Sequence, residues 1–351
     1  MYGTGSDQVL AFEVVTADGR FVTADSTQNQ DLFWALRGGG GSTFGVATSV
    51  TVKAHPDTQT TVSRFKFSTA NITNETFWAG FRSYFDYFIP NADAGTYAYM
   101  FIQPNNPAPG QFTFQMTPFF APHKTLEETH ALLDPWFARL NTLGIHFDPN
   151  ITHYNSFYSA WWGSFPLEVV EKVNVATGSR LFPRANFETE AMRNLTFSNI
   201  RQSLETNHVF VGFNIKATAE NSGNPDNAVN PAWRKVILFG EQSVRWTLNS
   251  TAEQIWAARK GFTFSDMQRW RDISPGAGSY LAESDRLEPN FQQSFYGDKY
   301  SRLLELKRKY DPTDLFYAAT AVGSELWHIE TVDTLPNENG KLCRVNGTVV
   351  A

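Results

Sequence analysis

The sequence predicts an α+β protein in which two sheet-containing regions of different character follow one another. Between residues 60 and 140, strand-like and helix-like segments occur in the order strand, helix, strand, strand, helix. This order favours an antiparallel sheet with helices packed on one face. Ahead of Pro56, a hairpin, a short helix, a glycine run and another strand form a smaller unit. With 351 residues, 42% of them hydrophobic, the chain is long enough for two domains with sizeable cores.

The smaller unit begins with a hairpin. Residues 9–15 and 20–24 flank a turn that contains Asp18-Gly19, a strong hairpin signal. A short amphipathic helix begins near Asp31, and residues 47–54 form a strand that is expected to be buried and to complete the unit. The unit is too small to stand alone, so we expect another segment to cover its sheet.

Four consecutive glycines, Gly38, Gly39, Gly40 and Gly41, end that helix. Because glycine adopts positive φ at little cost and allows close approach to the backbone, such a run has two interpretations. It is a helix cap followed by a loose loop, or a loop that lies against a cofactor. The glycines close a helix instead of opening one, so the run matches neither the dinucleotide-binding fingerprint nor the P-loop.

The larger region continues with strands and helices. Its predicted strands are residues 60–67, 96–103, 111–120, 208–217 and 235–239, the last two forming a pair. Its predicted helices are residues 74–88, 126–140, 188–204, 250–261 and 264–273, with a further amphipathic helix at 300–310. Pro135 is expected to kink the second helix.

Composition and charge exclude several classes of function. A net charge of −6 argues against nucleic acid or an anionic membrane as partner, and no stretch is apolar and long enough to span a bilayer. The 7 histidines are scattered without metal-ligand spacing, so no metal site is expected, and the single Cys343 allows no intramolecular disulfide. The 15% aromatic content indicates either core filling or a cavity for flat or sugar-like ligands.

Six N-glycosylation sequons indicate a secreted protein. Their asparagines are Asn71, Asn74, Asn150, Asn194, Asn249 and Asn346. The first residues nevertheless lack the basic start and the apolar core of a signal peptide. We therefore expect that an N-terminal portion, with any signal peptide, precedes this sequence in the full-length protein.

Three stretches carry a resemblance to a known family. The first is Asp31-Leu-Phe-Trp-Ala-Leu-Arg-Gly-Gly-Gly-Gly41, followed by Phe44-Gly45-Val46. The second is Gly178-Ser-Arg-Leu-Phe-Pro-Arg184, and the third runs from Gly278-Ser-Tyr-Leu-Ala-Glu-Ser-Asp285 to residue 317. Together they resemble the FAD-linked oxidases of the vanillyl-alcohol-oxidase (VAO) type, and more closely the berberine-bridge-enzyme-like branch.

This resemblance implies three parts. Residues 1–57 would be the second part of an FAD-binding domain of the PCMH type, whose first part is missing here. Residues 58–277 would be the α+β substrate-binding domain, with an antiparallel sheet and helices on one face. Residues 278–351 would be a berberine-like segment that returns to the FAD domain.

The resemblance also implies an FAD-dependent oxidase of a small alcohol, sugar or secondary metabolite, with oxygen as electron acceptor and the protein as a monomer. The cofactor-binding residues would be Gly38, Gly39, Gly40, Gly41, Phe44, Gly45, Val46 and Tyr317. The covalent attachment site of the family is not in this chain. Tyr280 would be the catalytic base, or else a packed wall residue, and the adjacent Ala282 stands where the family usually has asparagine.

Several roles stay open at this point. Arg180 and Arg184 bind a cofactor phosphate or carboxylate, or they form structural ion pairs. Glu283 and Asp285 are expected to hold their loop by hydrogen bonds. Because Ala282 departs from the family pattern, a non-catalytic remnant or binding protein is the main alternative to an oxidase. A secreted sugar-active hydrolase is a third hypothesis, which rests only on the aromatic content and the sequons.

Overall fold

A three-stranded antiparallel sheet forms the first unit of the computed structural model, which describes residues 1–41, 43–166, 174–332, 335 and 340–345. The elements are β1 (Val9–Val15), β2 (Phe21–Asp25), helix α1 (Gln30–Leu36) and β3 (Val46–Val52). The strand order is β2-β1-β3. The predicted hairpin is confirmed, and the strand after the glycines joins the same sheet.

The expectation that this last strand is buried is wrong. Every residue of β3 is exposed, and Val46, Val50 and Val52 each keep 53% of their surface accessible. Helix α1 covers the sheet mainly over β1 and β2, where Ala24, Leu32 and Phe33 share one core. β3 is an edge strand of the described sheet, and no described segment covers its side chains. The sequence pattern therefore predicted the strand but not its environment.

A seven-stranded antiparallel sheet forms the larger unit. Its strands are β4 (Thr60–Ser68), β5 (Tyr97–Pro104), β6 (Phe112–Pro122), β7 (Asn150–Tyr154), β8 (Val175–Pro183), β9 (Val209–Asn214) and β10 (Val236–Arg245). They are arranged in the order β7-β4-β6-β5-β9-β10-β8. The predicted pairing of the β9 and β10 strands is confirmed, with Phe213 opposite Phe239.

The two edge strands of this sheet, β7 and β8, escaped the sequence analysis. β7 has only five residues, Asn-Ile-Thr-His-Tyr, and two of them are polar residues that are uncommon in strands. β8 contains Gly178, Arg180 and Pro183, which also weaken a strand pattern. Both strands are evident only from their pairing with β4 and β10.

Helices cover one face of the larger sheet. The helices of this unit are α2 (Asn74–Tyr84), α3 (Phe88–Asp93), α4 (Leu126–Thr142), α5 (Phe157–Ser164), α6 (Ala185–Glu188), α7 (Glu190–Glu205), α8 (Ala252–Gly261) and α9 (Met267–Asp272). Trp78, Phe81, Trp136 and Trp270 from these helices share one aromatic core with the strands. The α+β class with helices on one face is confirmed; the short α5 lies on the opposite face, where Ala160 packs near Val62 and Phe120.

The C-terminal part lies against the first unit. It contains α10 (Tyr300–Tyr310), β11 (Trp327–Glu330) and β12 (Lys341–Arg344). Leu303 and Leu306 of α10 belong to the same hydrophobic core as Leu32 of α1. Asp31 binds both Lys309 Nζ, at 2.5 Å, and the hydroxyl of Tyr310, at 2.7 Å. The predicted helix at 300–310 is therefore confirmed, and its apolar face completes the core under α1.

Candidate functional site

The first three glycines of the run are required by contacts within the chain. Gly38 has a φ of +126°, and a Cβ atom there would lie 2.3 Å from the backbone nitrogen of Val229. A Cβ at Gly39 would lie 2.5 Å from the carbonyl oxygen of Ala35. Gly41 differs, because a Cβ there would meet no atom within 4 Å. Tight packing therefore explains Gly38 and Gly39, and only Gly41 presents open backbone.

The glycine loop touches the segment that carries Tyr280. A Cβ at Gly40, whose φ is +89°, would lie 2.9 Å from a methyl carbon of Leu281. The ring of the adjacent Tyr280 packs edge-on against Trp233 and Phe239, with ring centroids 5.3 and 5.8 Å apart. Two stretches more than 200 residues apart in sequence thus form one wall.

The other residues predicted around the glycines have different environments. Phe44 is 1% exposed and packs in the core below α1. A Cβ at Gly45 would lie 2.6 Å from Val14, so glycine is required there by β1. Val46 is half exposed at the start of β3. Phe44 and Gly45 therefore shape the loop from below, whereas Val46 and Gly41 are accessible from outside.

A buried lysine connects the glycine loop with the loop of Tyr317. Lys307 Nζ donates to the carbonyl oxygens of Thr43, at 3.0 Å, and Phe316, at 2.6 Å. It also lies 2.6 Å from the carboxylate of Asp311, and both charged side chains are at most 3% exposed. The residue after Phe316 is Tyr317, so this contact brings a third predicted segment to the glycine loop. Sequence analysis assigned Lys307 only to an amphipathic helix.

Aromatic side chains line the sheet face on which Tyr280 packs. Tyr99 on β5 stacks on Phe213 of β9 with centroids 4.6 Å apart. Phe213 in turn stacks on Phe239 of β10 at 5.2 Å. Phe239, Trp233 and Tyr280 belong to a cluster separate from the core under the helices. Tyr99 and Phe239 are only 6% and 4% exposed, so the accessible part of this aromatic wall consists of the half-buried Phe213, Trp233 and Tyr280.

The surroundings of Tyr280 stabilise its neutral phenol. Burial raises the pKa of Tyr280 above its usual value, and the negative charges of Glu283 and Glu241 raise it further. A base that works near neutral pH needs the opposite shift. Glu241 lies on β10, where it is paired with Ser179 of β8 and Val211 of β9, and its charge acts on Tyr280. The sequence analysis missed it because carboxylates are numerous and dispersed along the chain.

Asp285 holds the loop after Tyr280, as predicted. Its buried carboxylate accepts hydrogen bonds from the hydroxyl of Thr263 and from the backbone N–H of Leu287. Ser279 Oγ donates to the carbonyl oxygen of Ser179 at 2.8 Å, which ties the same loop to β8. Glu283 is exposed. The position of Tyr280 is thus fixed by Asp285 and Ser279.

Arg180 and Arg184 form structural contacts. Arg180 is 3% exposed and donates to the hydroxyl and the carbonyl of Ser274, at 2.8 and 2.7 Å. Arg184 binds the carboxylate of Asp93 through two hydrogen bonds of 3.0 and 2.8 Å. Both guanidinium groups are therefore engaged within the protein, which favours the structural alternative for each of them.

The residues present fit one part of an FAD molecule. The aromatic wall and the open backbone at Gly41 suit a flat ring system, because such surfaces stack on rings and exclude water. The diphosphate needs cationic or N–H donors, but Arg180, Arg184 and Lys307 already bind protein acceptors. This chain therefore offers a wall for the ring system of FAD. The three cations Arg180, Arg184 and Lys307 do not form a phosphate site.

Three further observations concern the described part of the chain. It contains no group of three or more His, Cys, Asp or Glu side chains that could hold a metal ion. None of its helices combines the length and the apolar character needed to cross a bilayer. The sequon asparagines at positions 71, 74, 150, 194 and 249 are all exposed, and Asn346 lies outside the described residues.

Comparison with known proteins is consistent with this geometry. The family model described as berberine and berberine like matches residues 279–323. FAD-linked oxidoreductase patO of Aspergillus clavatus is 35% identical over 99% of this chain, and FAD-linked oxidoreductase ZEB1 of Gibberella zeae is 34% identical over 98%. The chain spans 58% of the length of each of these two relatives.

A solved structure shows the same fold. The VAO-type flavoprotein MtVAO615 from Myceliophthora thermophila superposes with a TM-score of 0.84 and 28% identity, covering 98% of this chain and 60% of that protein. A BBE-like protein from Physcomitrella patens shares the fold at 18% identity, with a TM-score of 0.67. Over the part of those proteins that it spans, the chain is therefore similar to VAO-type FAD-linked oxidoreductases, and residues 279–323 match the berberine-like family model.

Proposed function

We propose that the full-length protein is an FAD-dependent oxidase of a small organic molecule, with oxygen as the final electron acceptor. The observation that carries this proposal is the convergence of three segments. Leu281 packs against Gly40, and Lys307 joins Thr43 to Phe316. If these contacts served only to stabilise the fold, an aromatic wall would not be required beside the open glycine backbone. Nor would a tyrosine and a carboxylate be required there.

Within this proposal, the predicted cofactor residues divide into two groups. Gly41, Val46 and Tyr317 would face the flavin, whereas Gly38, Gly39, Gly40, Phe44 and Gly45 would shape the loop that carries them. Bound FAD would supply the two-electron acceptor that this chain lacks among its own side chains. The division rests on the contacts that a Cβ atom would make at each glycine and on the burial of Phe44.

The proton chemistry would involve Tyr280 and Glu241 together. At neutral pH the phenol of Tyr280 is protonated, because its pKa is raised. Tyr280 can therefore hold a substrate hydroxyl by a hydrogen bond. It can act as a base only if it first transfers its own proton to another group. In this proposal the carboxylate of Glu241, whose charge acts on Tyr280, accepts that proton. Trp233 and Phe239 would hold the phenol in place.

The proposed substrate is an alcohol, a sugar or a secondary metabolite. One relative, 31% identical over 98% of this chain, is named bifunctional decalin synthase calF, from Penicillium decumbens. A solved carbohydrate oxidase from Microdochium nivale shares the fold at 19% identity. The accessible rings of the aromatic wall, Phe213, Trp233 and Tyr280, offer mainly apolar contact, which favours a flat or apolar substrate over a sugar.

The first experiment is to isolate the full-length protein and to measure its visible absorption and its FAD content after denaturation. We expect a yellow protein with close to one FAD per chain. Gly41→Val should lower the FAD content without changing the unfolding temperature, because a side chain there meets open space in the protein itself. Gly261→Val, at an exposed helical position where a Cβ atom also meets no atom within 4 Å, tests for unspecific effects of valine. A colourless wild-type protein would contradict the proposal.

The non-catalytic alternative has one observation in its favour. Ala282 is exposed beside Tyr280 and offers no hydrogen bond where the family usually has asparagine. A protein that binds FAD but whose flavin is not reduced by any small alcohol, sugar or phenol under anaerobic conditions would support this alternative. Ala282→Asn would then be expected to restore reduction by substrate.

Secretion and glycosylation form a separate proposal. The exposure of five sequon asparagines supports it, since a glycan needs an accessible side chain. Mass spectrometry before and after enzymatic deglycosylation of protein from the natural host is the test. Equal masses would contradict it.

A further inference from the structure

The side chain of Lys307 is the most deeply buried cation near the proposed site. Its ammonium group has three donors and three acceptors in reach, namely Thr43 O, Phe316 O and Asp311 Oδ2. All its hydrogen-bonding capacity is thus used inside the protein. Lys307 is consequently not a ligand for a phosphate or a substrate, and its role has to be explained by what it connects.

Asp311 completes this arrangement. Its carboxylate accepts from the backbone N–H of Leu315 and of Phe316, both at 2.8 Å, in addition to Lys307. The side chain is fully buried. Burial alone would raise the pKa of Asp311, but the hydrogen bonds from Lys307 and from the two backbone groups hold it below its usual value. Asp311 is therefore held in its ionised form, and with Lys307 it fixes the turn that ends at Tyr317.

The acceptors of Lys307 lie on the two loops that carry the proposed flavin contacts. Thr43 lies between Gly41 and Val46, and Phe316 directly precedes Tyr317. One ammonium group therefore binds both carbonyls and links the two loops directly. The apolar contacts of α10 also reach the glycine loop, since a Cβ at Gly39 would lie 2.6 Å from a methyl carbon of Leu303, but the hydrogen bonds to both loops come from Lys307.

We propose that Lys307 is a positioning residue: with Asp311 it fixes the glycine loop relative to the Tyr317 loop and so sets the geometry of the flavin site. This inference rests on the proposed function for its flavin part. Its structural part, the coupling of two loops, can be tested without flavin. If Lys307 served only stability, a second substitution that removes the unpaired charge of Asp311 would restore the flavin site together with the stability.

The experiment compares three variants of the full-length protein. Lys307→Met removes the cation at nearly constant side-chain volume but leaves Asp311 as a buried unpaired charge, which is destabilising. Lys307→Met combined with Asp311→Asn removes both charges, so most of the stability should return. Lys309→Met is the matched control, because it lies on the same helix and is 59% exposed, with an ion pair to Asp31.

Hydrogen–deuterium exchange gives the readout that does not depend on flavin. We expect backbone amides of residues 43–46 and 315–318 to exchange about tenfold faster in both Lys307 variants, since roughly one hydrogen bond to each loop is lost. The control should match the wild type. Unchanged exchange in the double variant would overturn the proposal, whether or not the protein binds FAD.

Flavin absorption gives the second readout. In the double variant we expect a shifted visible spectrum and about tenfold weaker FAD retention, although its unfolding temperature is close to that of the wild type. A double variant with the spectrum and FAD retention of the wild type would show that Lys307 serves stability only. A colourless wild-type protein would instead contradict the proposed function. The hydrogen–deuterium exchange result would then still test whether Lys307 couples the two loops.

Discussion

The two sheets of this protein are stabilised in different ways. The seven-stranded sheet has its own cover, because α2, α4, α7 and α9 enclose an aromatic core that includes Phe81 and Trp136 with no more than 1% exposure. The three-stranded sheet is covered only in part, and its strand β3 is exposed along its whole length. The small sheet is connected to the rest of the chain through specific polar contacts.

Those polar contacts are concentrated at a few places. Asp7 binds Arg234 through two hydrogen bonds of 2.7 and 2.8 Å. The carbonyl of Arg37 accepts from the N–H of Ala228, and Lys307 binds Thr43. The comparison shows that the large unit is held by its own buried apolar area, whereas the small unit depends on the core it shares with α10 together with these precise polar contacts. The proposed flavin loop belongs to the second kind, so it should be sensitive to single changes.

The largest expected effect is the difference in stability loss between a substitution in the large core and one on the exposed strand β3. Phe81→Ala in the large core should lower the free energy of unfolding by about 3–5 kcal/mol, because it leaves a cavity. Val50→Ala on β3 should change it by less than about 0.5 kcal/mol, because that side chain is already exposed. Urea denaturation measures both. Equal losses would show that β3 is covered in solution and would remove the contrast.

A second comparison lies within the glycine run. Gly38→Ala should cost about 2–4 kcal/mol, because its positive φ and the 2.3 Å approach to Val229 both oppose a Cβ atom. Gly41→Ala should be close to neutral, since its surroundings are open. Thermal unfolding of the two variants side by side is sufficient. A tolerated alanine at position 38 would contradict the packing described for this loop.

A third comparison concerns the contact of Asp7. Burial alone would raise its pKa, but hydrogen bonds from Arg234, Thr4 and Asn227 lower it to about 2, from a usual value of 3.8. A lowered pKa gives stability that is present above pH 3.8 and is lost as the pH falls through about 2. Asp7→Asn should therefore cost about 2 kcal/mol at pH 7 and progressively less towards pH 2.

The control for this prediction is Asp18→Asn. Asp18 pairs with Arg20 at the tip of the hairpin, where both side chains are exposed, so no measurable loss is expected. Urea midpoints at pH 7, 4 and 2.5 would follow both variants. A cost of Asp7→Asn that does not change with pH would mean that the ion pair contributes nothing to stability.

The sequence predicted most of the helices and strands, but it predicted few of the contacts that surround them. Hydrophobic periodicity placed α1, α4, α7 and α10 within a few residues of their observed bounds, since a local pattern determines a helix. It could not show that β3 is exposed, because burial depends on what covers a strand. Nor could it assign Lys307, whose partner Thr43 lies 264 residues away in the chain. The contacts of the glycine run likewise became visible only in the structure, because its partners Val229 and Leu281 are distant in sequence.

Family resemblance located Tyr280, but only the structure gives the environment that determines its chemistry. Trp233, Phe239 and two carboxylates surround a phenol that is expected to stay protonated at neutral pH. The direction of that pKa shift depends on burial and on charges from β10. A motif contains no information on either.

The measurement that tests the central claim most directly is the anaerobic reduction of the bound flavin by substrate in the Tyr280→Phe variant. We predict that its flavin content stays at the wild-type level while reduction slows by about 100-fold or more, as for the loss of a general acid–base group. Tyr158→Phe, an exposed tyrosine on α5, should reduce at the wild-type rate. Wild-type reduction in Tyr280→Phe would contradict the proposed site.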